Sequence, residues 1–172
     1  MKINQDTIDL VKRFEGLRTR AYVDSAGVWT IGYGTTARAG LGITPRHGMT
    51  ITEAEAEYYL EKGLRKFGKQ IEPYFTREPN ENQFGAFLSL AYNIGPSAFK
   101  RSSALRHFNS GDDSKAAKSI KLWNKAGRKK LDGLVRRRAA EVELFNKPVR
   151  VIKTVPGGRV PFWVRWMARL KR

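Results

Sequence analysis

Apolar residues recur at helical spacing from the start of the chain. Ile8, Val11 and Phe14 share one face of a segment that Asn4 or Asp6 can cap. Gly16, directly after Glu15, predicts that this helix ends there in a left-handed conformation. The period then changes. Tyr22-Val23 and Val28-Trp29-Thr30-Ile31 flank Asp24-Ser25-Ala26-Gly27, a pattern that predicts a β-hairpin whose turn closes on glycine. Gly32 and Gly34 follow, and bring backbone close to whatever lies above that sheet.

A Gly- and Pro-containing loop, Ala39 to Gly48, leads to two overlapping capping boxes, Thr50 with Glu53 and Thr52 with Glu55. They predict a long helix over about 53–72, with Ala56, Leu60, Leu64, Phe67 and Ile71 as its apolar stripe and Pro73 as its stop. A helix of that length between two clusters of elements can bridge two lobes. Asn80 with Gln83 opens a further helix whose buried face is Phe84, Phe87, Leu88 and Ala91, and Asn93-Ile94-Gly95-Pro96 breaks it. Short helices are expected around Ser103–Phe108 and Ser114–Trp123, and a last one from about Gly133 to Phe145. Pro148 closes the globular region. The pattern reads as an α+β fold, mostly α-helical, without repeats or low-complexity tracts.

Charge changes this picture. The 172 residues carry 33 Lys and Arg against 16 Asp and Glu, a net charge of +17, which points to a polyanionic partner: nucleic acid, an acidic membrane surface or an anionic cell-wall polymer. No nucleic-acid-binding signature accompanies it, so no specific nucleic-acid partner is expected. The run Lys125, Arg128, Lys129, Lys130 reads as a solvated loop. Residues 149–172 differ from the rest, with seven basic residues and no acidic one. Past a Pro156-Gly157-Gly158 hinge, Trp163, Trp166, Met167 and Leu170 recur at helical spacing, while Arg165, Arg169 and Arg172 line another face. That is a basic amphipathic helix suited to an anionic membrane or lipopolysaccharide, with Trp163, Arg165, Trp166, Arg169 and Leu170 as its contacts.

There is no cysteine, and the two histidines, His47 and His107, show no metal-ligand spacing, so neither metal nor cofactor is expected. The first residues lack an apolar signal core. If the target lies outside the cytoplasm, something else is then expected to let the protein out.

The candidate chemistry lies in and beside the hairpin. Hydrolysis of a glycosidic bond needs two carboxyl groups in unlike settings, one protonated to serve the leaving oxygen and one ionised. Glu15 ends a helix, where the negative dipole pole and nearby apolar residues favour the protonated form. Asp24, on an exposed turn, stays ionised, and the Thr30 hydroxyl can hold water. Glu-x8-Asp-x5-Thr alone is a weak signal. Its context is specific: Phe14-Glu15-Gly16, Ala21-Tyr22-x-Asp24, Gly27 and Trp29-Thr30-Ile31-Gly32-Tyr33-Gly34 together resemble the N-terminal signature of phage-type lysozymes, the family of the T-even phage lysozyme and many endolysins. Ala91-Tyr92-Asn93-Ile94-Gly95 resembles that family's segment at the cleft edge, and Gly133-Leu134-Val135-Arg136-Arg137-Arg138-Ala139-Ala140-Glu141 resembles its closing helix.

The resemblance spans about residues 5–147. It implies a lysozyme-like two-lobed fold over 1–148, with a β-containing lobe about 15–52, a linking helix about 53–72 and a helical lobe about 73–147. It implies a muramidase that cuts the β-1,4 bond between N-acetylmuramic acid and N-acetylglucosamine in peptidoglycan, with inversion, as a monomer. Glu15 is then the acid, and Asp24 and Thr30 handle the water. Thr36, Tyr92 and Asn93 match cleft-lining positions, although Tyr92 equally suits core packing. One of Arg136, Arg137 and Arg138 is expected to pair with Glu15, and the others to be solvated. Two alternatives remain at this level. One is a lytic transglycosylase, which uses the sugar's own hydroxyl. The other is a membrane-active cationic peptide carried on a lysozyme-like domain.

Overall fold

The computed structural model describes residues 1–149. The predicted amphipathic tail, with Trp163, Arg165, Trp166, Arg169 and Leu170, lies outside them apart from Val149.

Helix α1 (Gln5–Glu15) is capped by Asn4, whose Oδ1 accepts from the Thr7 amide at 3.0 Å and the Thr7 hydroxyl at 2.7 Å. Asp6 falls in the first turn, where its charge suits the dipole. Gly16 ends the helix at φ 71°, ψ 148°, so the turn is glycine-dependent but extended in ψ rather than left-handed helical. The chain enters an antiparallel sheet of β1 (Arg18–Val23), β2 (Trp29–Gly32) and β3 (Thr35–Thr36) in that order. β1 begins earlier than the hydrophobic pattern predicts. Arg18-Thr19-Arg20 are exposed and carry no apolar alternation, and they are held instead from the other edge: Ile51 donates to the Thr19 carbonyl and Ala21 to the Met49 carbonyl, each at 2.9 Å.

That edge also decides between the two capping boxes. Thr50 bridges to Arg20 in extended conformation, and α2 (Glu53–Ile71) starts from the Thr52–Glu55 box. Nineteen residues give this helix a length of about 28 Å. Near one end it packs on the sheet, where Gly32 (φ +65°) lies so close that a Cβ would stand 3.2 Å from the Ala56 Cβ. Near the other, Gly68 receives the Phe84 ring.

The core of the helical part forms around α3 (Glu81–Ile94), opened by the Asn80–Gln83 box and buried without interruption from Phe84 to Ala91. A helix apolar on every side belongs in the centre. Helices α4 (Pro96–Lys100), α5 (Ser103–Asn109), α6 (Asp113–Ile120) and α7 (Asp132–Asn146) complete the body. Phe87 anchors the core, its ring 5.2–5.6 Å from those of Phe75, Phe99, Phe108 and Phe145. Two elements depart from expectation. Pro96 does not merely break α3 but opens α4 at its first turn, where a missing N–H costs nothing. The basic run forms a hairpin, β4 (Lys125–Ala126) with β5 (Lys129–Lys130), its side chains exposed and its turn carried by Gly127 at φ +60°.

Gly85 lets α1 and α3 touch. A Cβ there would stand 2.0 Å from the Thr7 Oγ1 and 3.3 Å from the Leu144 Cδ2, and Thr7 is itself pinned to its cap. Gly85→Ala should therefore cost about 1–3 kcal/mol. The denaturant midpoint should fall accordingly, and an unchanged midpoint would show that α1 can move away freely.

Candidate active site

Glu15 is the last residue of α1, so its side chain leaves the helix where the chain turns into the sheet. Its Oε1 accepts from Arg137 Nη1 of α7 at 2.8 Å, and the side chain keeps 23% of its surface exposed. Its Oε2 faces Gly34, where even a Cβ would lie 3.9 Å away. The sequence placed Glu15 among apolar neighbours; the structure places a guanidinium on one oxygen and open backbone beside the other.

Two hollows adjoin at this point. One, of about 630 Å³, is lined by Phe14, Glu15, Asn93, Leu134, Arg136 and Arg137. The other, of about 350 Å³, is lined by Gly34, Thr35, Arg38, Phe67, Gln70 and Tyr92. Gly34 of the second faces Glu15 of the first, and the consecutive Tyr92 and Asn93 of α3 line one each. The two therefore form one cleft, bounded by α1, α3 and α7 at the first hollow and by the sheet segment, α2 and α3 at the second.

Asp24 and Thr30 are joined through a single residue, Val28. Asp24 Oδ1 accepts from the Val28 and Ala26 amides, each at 2.9 Å, an Asx-type turn that fixes the carboxylate. The Val28 carbonyl accepts from the Asp24 amide at 3.0 Å and from the Thr30 hydroxyl at 3.0 Å. The Thr30 proton is therefore spent on backbone, and its oxygen lone pairs are left to accept. Asp24 Oδ2 has no partner among the described residues. Thr30 pairs with Tyr22 on one side and Thr36 on the other, so these three side chains share one face of the sheet. Thr35, next to Thr36, lines the second hollow.

Tyr92 is half-buried. Its ring meets Phe67 edge-on at 5.3 Å, and it lines the second hollow. Both readings of this residue therefore hold in part. Burial pushes its hydroxyl up to about 12, the Glu15 charge adds to the rise, and Arg137 opposes it. Tyr92 is thus a neutral neighbour of Glu15. Asn93 is exposed beside Glu15, with its Oδ1 accepting from Arg138 Nη2 at 3.1 Å.

The three arginines separate cleanly. Arg137 pairs with Glu15, Arg136 is exposed at the first hollow, and Arg138 is 1% exposed, contrary to the expectation of a solvated side chain. Arg138 and Arg137 both reach Glu141, which is fully buried. Sequence reasoning gave Ser89 and Glu141 no role. A signal existed. Seven residues back from the apolar Leu144 and Phe145 lie Arg137 and Arg138, with Glu141 between them at i−3 and i−4, whereas Arg136 stands seven residues before the exposed Glu143. Among the described residues no cluster of three or more His, Asp or Glu side chains could hold a metal ion.

A short antiparallel sheet, a helical body and a long helix in contact with both, with a carboxylate held at the cleft between them, define a lysozyme-like architecture. The chain belongs to the phage lysozyme family, whose model matches residues 12–141. It is 40% identical over 148 residues to an endolysin of Bacillus phage PZA, covering 85% of this chain and 55% of that protein. The chain thus spans about half the length of that relative. An endolysin of Salmonella phage P22 is 40% identical over 145 residues, covering 84% of this chain and 98% of its own length. Among solved structures, the muramidase domain of SpmX from Asticaccaulis excentricus superposes with a TM-score of 0.78 at 34% identity, covering 86% of this chain and 99% of that one.

Proposed function

We propose that this chain is a muramidase that hydrolyses the β-1,4 bond between N-acetylmuramic acid and N-acetylglucosamine in peptidoglycan, with inversion at the anomeric carbon. The observation that carries the reading is the pairing of a fixed, partly exposed carboxyl group, Glu15, with an Asp24–Thr30 pair joined through one residue, Val28. Glu15 Oε2 supplies a proton to the leaving oxygen as the glycosidic C–O bond breaks and the sugar gains oxocarbenium character. A water held between Asp24 Oδ2 and Thr30 Oγ1 has both hydrogens engaged, which aims its lone pair at the anomeric carbon. As the new C–O bond forms, Asp24 takes the water proton. Protons exchanged with solvent restore Glu15 and Asp24.

Thr36, Tyr92 and Asn93 contact the glycan in this reading. The Tyr92 ring edge offers a sugar platform, and Asn93 Nδ2 an N-acetyl donor. The arrangement favours hydrolysis over the transglycosylase alternative because Asp24 and Thr30 serve water and not a sugar hydroxyl. Purified peptidoglycan should lose turbidity and gain muramic acid reducing ends in proportion. If clearing is accompanied by anhydro ends, the transglycosylase is the enzyme; if no ends appear, the reading fails.

Residues 149–172 form a membrane-binding tail in this account, directed at anionic lipid or lipopolysaccharide, while the body works as a monomer on the wall. The support is the sequence pattern: large apolar side chains contribute about 1.5–3 kcal/mol each when fully buried, and each adjacent arginine about 1 kcal/mol near an anionic surface. Deleting 149–172 should leave activity on purified peptidoglycan nearly unchanged and should reduce both vesicle binding and killing of intact Gram-negative cells. Equal losses on purified wall and intact cells would instead make the tail a structural part of the body. Killing that survives loss of Glu15 would favour the peptide alternative.

A further inference from the structure

The cluster behind Glu15 is expensive for a protein interior. Glu141 (0% exposed), Arg138 (1%) and Arg137 (4%) are three charges withdrawn from water on α7. Burial pushes the Glu141 carboxyl up and the Arg138 guanidinium down, each opposed by the charge of its partner. Apolar residues of similar volume are commonly at least as stabilising as such a set, so stability alone does not account for it.

Geometry gives it a task. Arg137 distributes its three nitrogens over three helices: Nε to Glu141 Oε1 at 3.3 Å, Nη2 to the Ser89 carbonyl of α3 at 3.3 Å, and Nη1 to Glu15 Oε1 of α1 at 2.8 Å. A guanidinium is planar, so with Nε and Nη2 anchored the direction of Nη1 is fixed. Glu141 is itself held by the Ser89 hydroxyl at 2.8 Å and by Arg138 Nη2 at 2.7 Å, while Arg138 Nε lies 2.7 Å from Oε2. Arg138 thereby balances the Glu141 charge and leaves the charge of Arg137 for Glu15. Arg138 also reaches Asn93, so the cluster meets the first hollow through α3 as well as through Arg137 of α7.

We propose that Glu141 is a positioning residue for the reaction: with Ser89 it locks the Arg137 guanidinium so that Nη1 fixes Glu15 Oε1 and turns Oε2 into the cleft. This rests on the assignment of Glu15 as the acid. Ser89 and Glu141 are fully buried and line neither hollow, so their loss acts on turnover rather than on binding.

Two variants and one measurement on the unaltered protein test it. Glu141→Gln leaves the buried Arg138 without a counter-charge and should lower both Tm and kcat. Arg138→Met with Glu141→Leu removes both charges together and should recover most of the Tm. Its kcat on purified peptidoglycan should nevertheless stay about 10- to 100-fold down, with KM within about twofold of the original, the scale expected of a misplaced catalytic group. A double variant that regains both Tm and kcat, or that changes KM alone, would overturn the proposal and leave the cluster a structural one.

Nitrogen-15 NMR of the unaltered protein gives a readout that needs neither variant to fold. Arg137 should show slow guanidinium rotation and separately resolved Nη protons. Fast rotation there would equally overturn the lock. Because this readout does not involve turnover, it separates failure of the lock from failure of the Glu15 assignment, which Glu15→Gln tests by itself.

Discussion

Glu15→Gln should abolish wall hydrolysis while leaving the fold in place. The amide oxygen can still accept from Arg137 Nη1, at the position where Oε1 now does so at 2.8 Å. The amide nitrogen then occupies the place of Oε2 beside Gly34 and has no acidic proton to give. General acid catalysis contributes about 10²–10⁴-fold, and an oxocarbenium-like transition state with a poor leaving group makes the upper end of that range the expected loss. Release of soluble muropeptides by the purified variant, measured beside its thermal unfolding, checks both halves. Clearing at a near-original rate would remove Glu15 from the role of acid. A collapse of Tm would show that its ion pair with Arg137 is needed to hold α1 against α7.

The second large effect is expected at the water. Asp24→Asn keeps the oxygen that accepts from the Ala26 and Val28 amides, so the turn should survive. The free Oδ2 becomes an amide that cannot take a proton, and kcat should fall by about 10²–10⁴-fold with KM little changed. Thr30→Val is nearly isosteric and removes only the hydroxyl. The Val28 carbonyl keeps its bond from the Asp24 amide, so the cost to the fold is small. The loss of one hydrogen bond to the water should lower kcat by about tenfold, because about 1.4 kcal/mol corresponds to that factor. Combining the two substitutions should add little to Asp24→Asn alone, since both act on one water. Fully additive losses would mean that they serve separate steps.

The sequence made the helices legible where local chemistry acts alone. The Asn4 cap, the Asn80–Gln83 box and the stripe of α2 need no tertiary information, and all three stand where the pattern puts them. It could not choose between the Thr50 and Thr52 boxes, because the choice is made by a bridge between Arg20 and Thr50, thirty positions apart in sequence. β3 and the β4–β5 hairpin are two-residue strands, too short to show any period. α4 was hidden behind Pro96, whose signal as a helix breaker is the same as its signal as a helix opener.

At the site, Glu15, Asp24 and Thr30 could be singled out because their spacing and setting resemble a known signature. The partner of Glu15 could not be singled out from the run of three arginines by type alone. Helical phase was the missing step: counting back from Leu144 and Phe145 turns Arg137 and Arg138 inward and Arg136 outward. Charged residues on the inner face of a helix go against the usual reading of amphipathicity, and that conflict is itself the mark of the site.

In the proposed reaction, water held by Asp24 and Thr30 displaces a leaving group protonated by Glu15 from the opposite face of the sugar. The configuration of the first-formed product tests this most directly. Proton NMR of a peptidoglycan oligomer, recorded within the first minutes of cleavage and before mutarotation, should show the muramic acid reducing end as the α-anomer from a β-linked strand. A β-anomer at the earliest times would require a covalent intermediate, and a 1,6-anhydro end would require attack by the sugar's own hydroxyl. Either result would contradict the account.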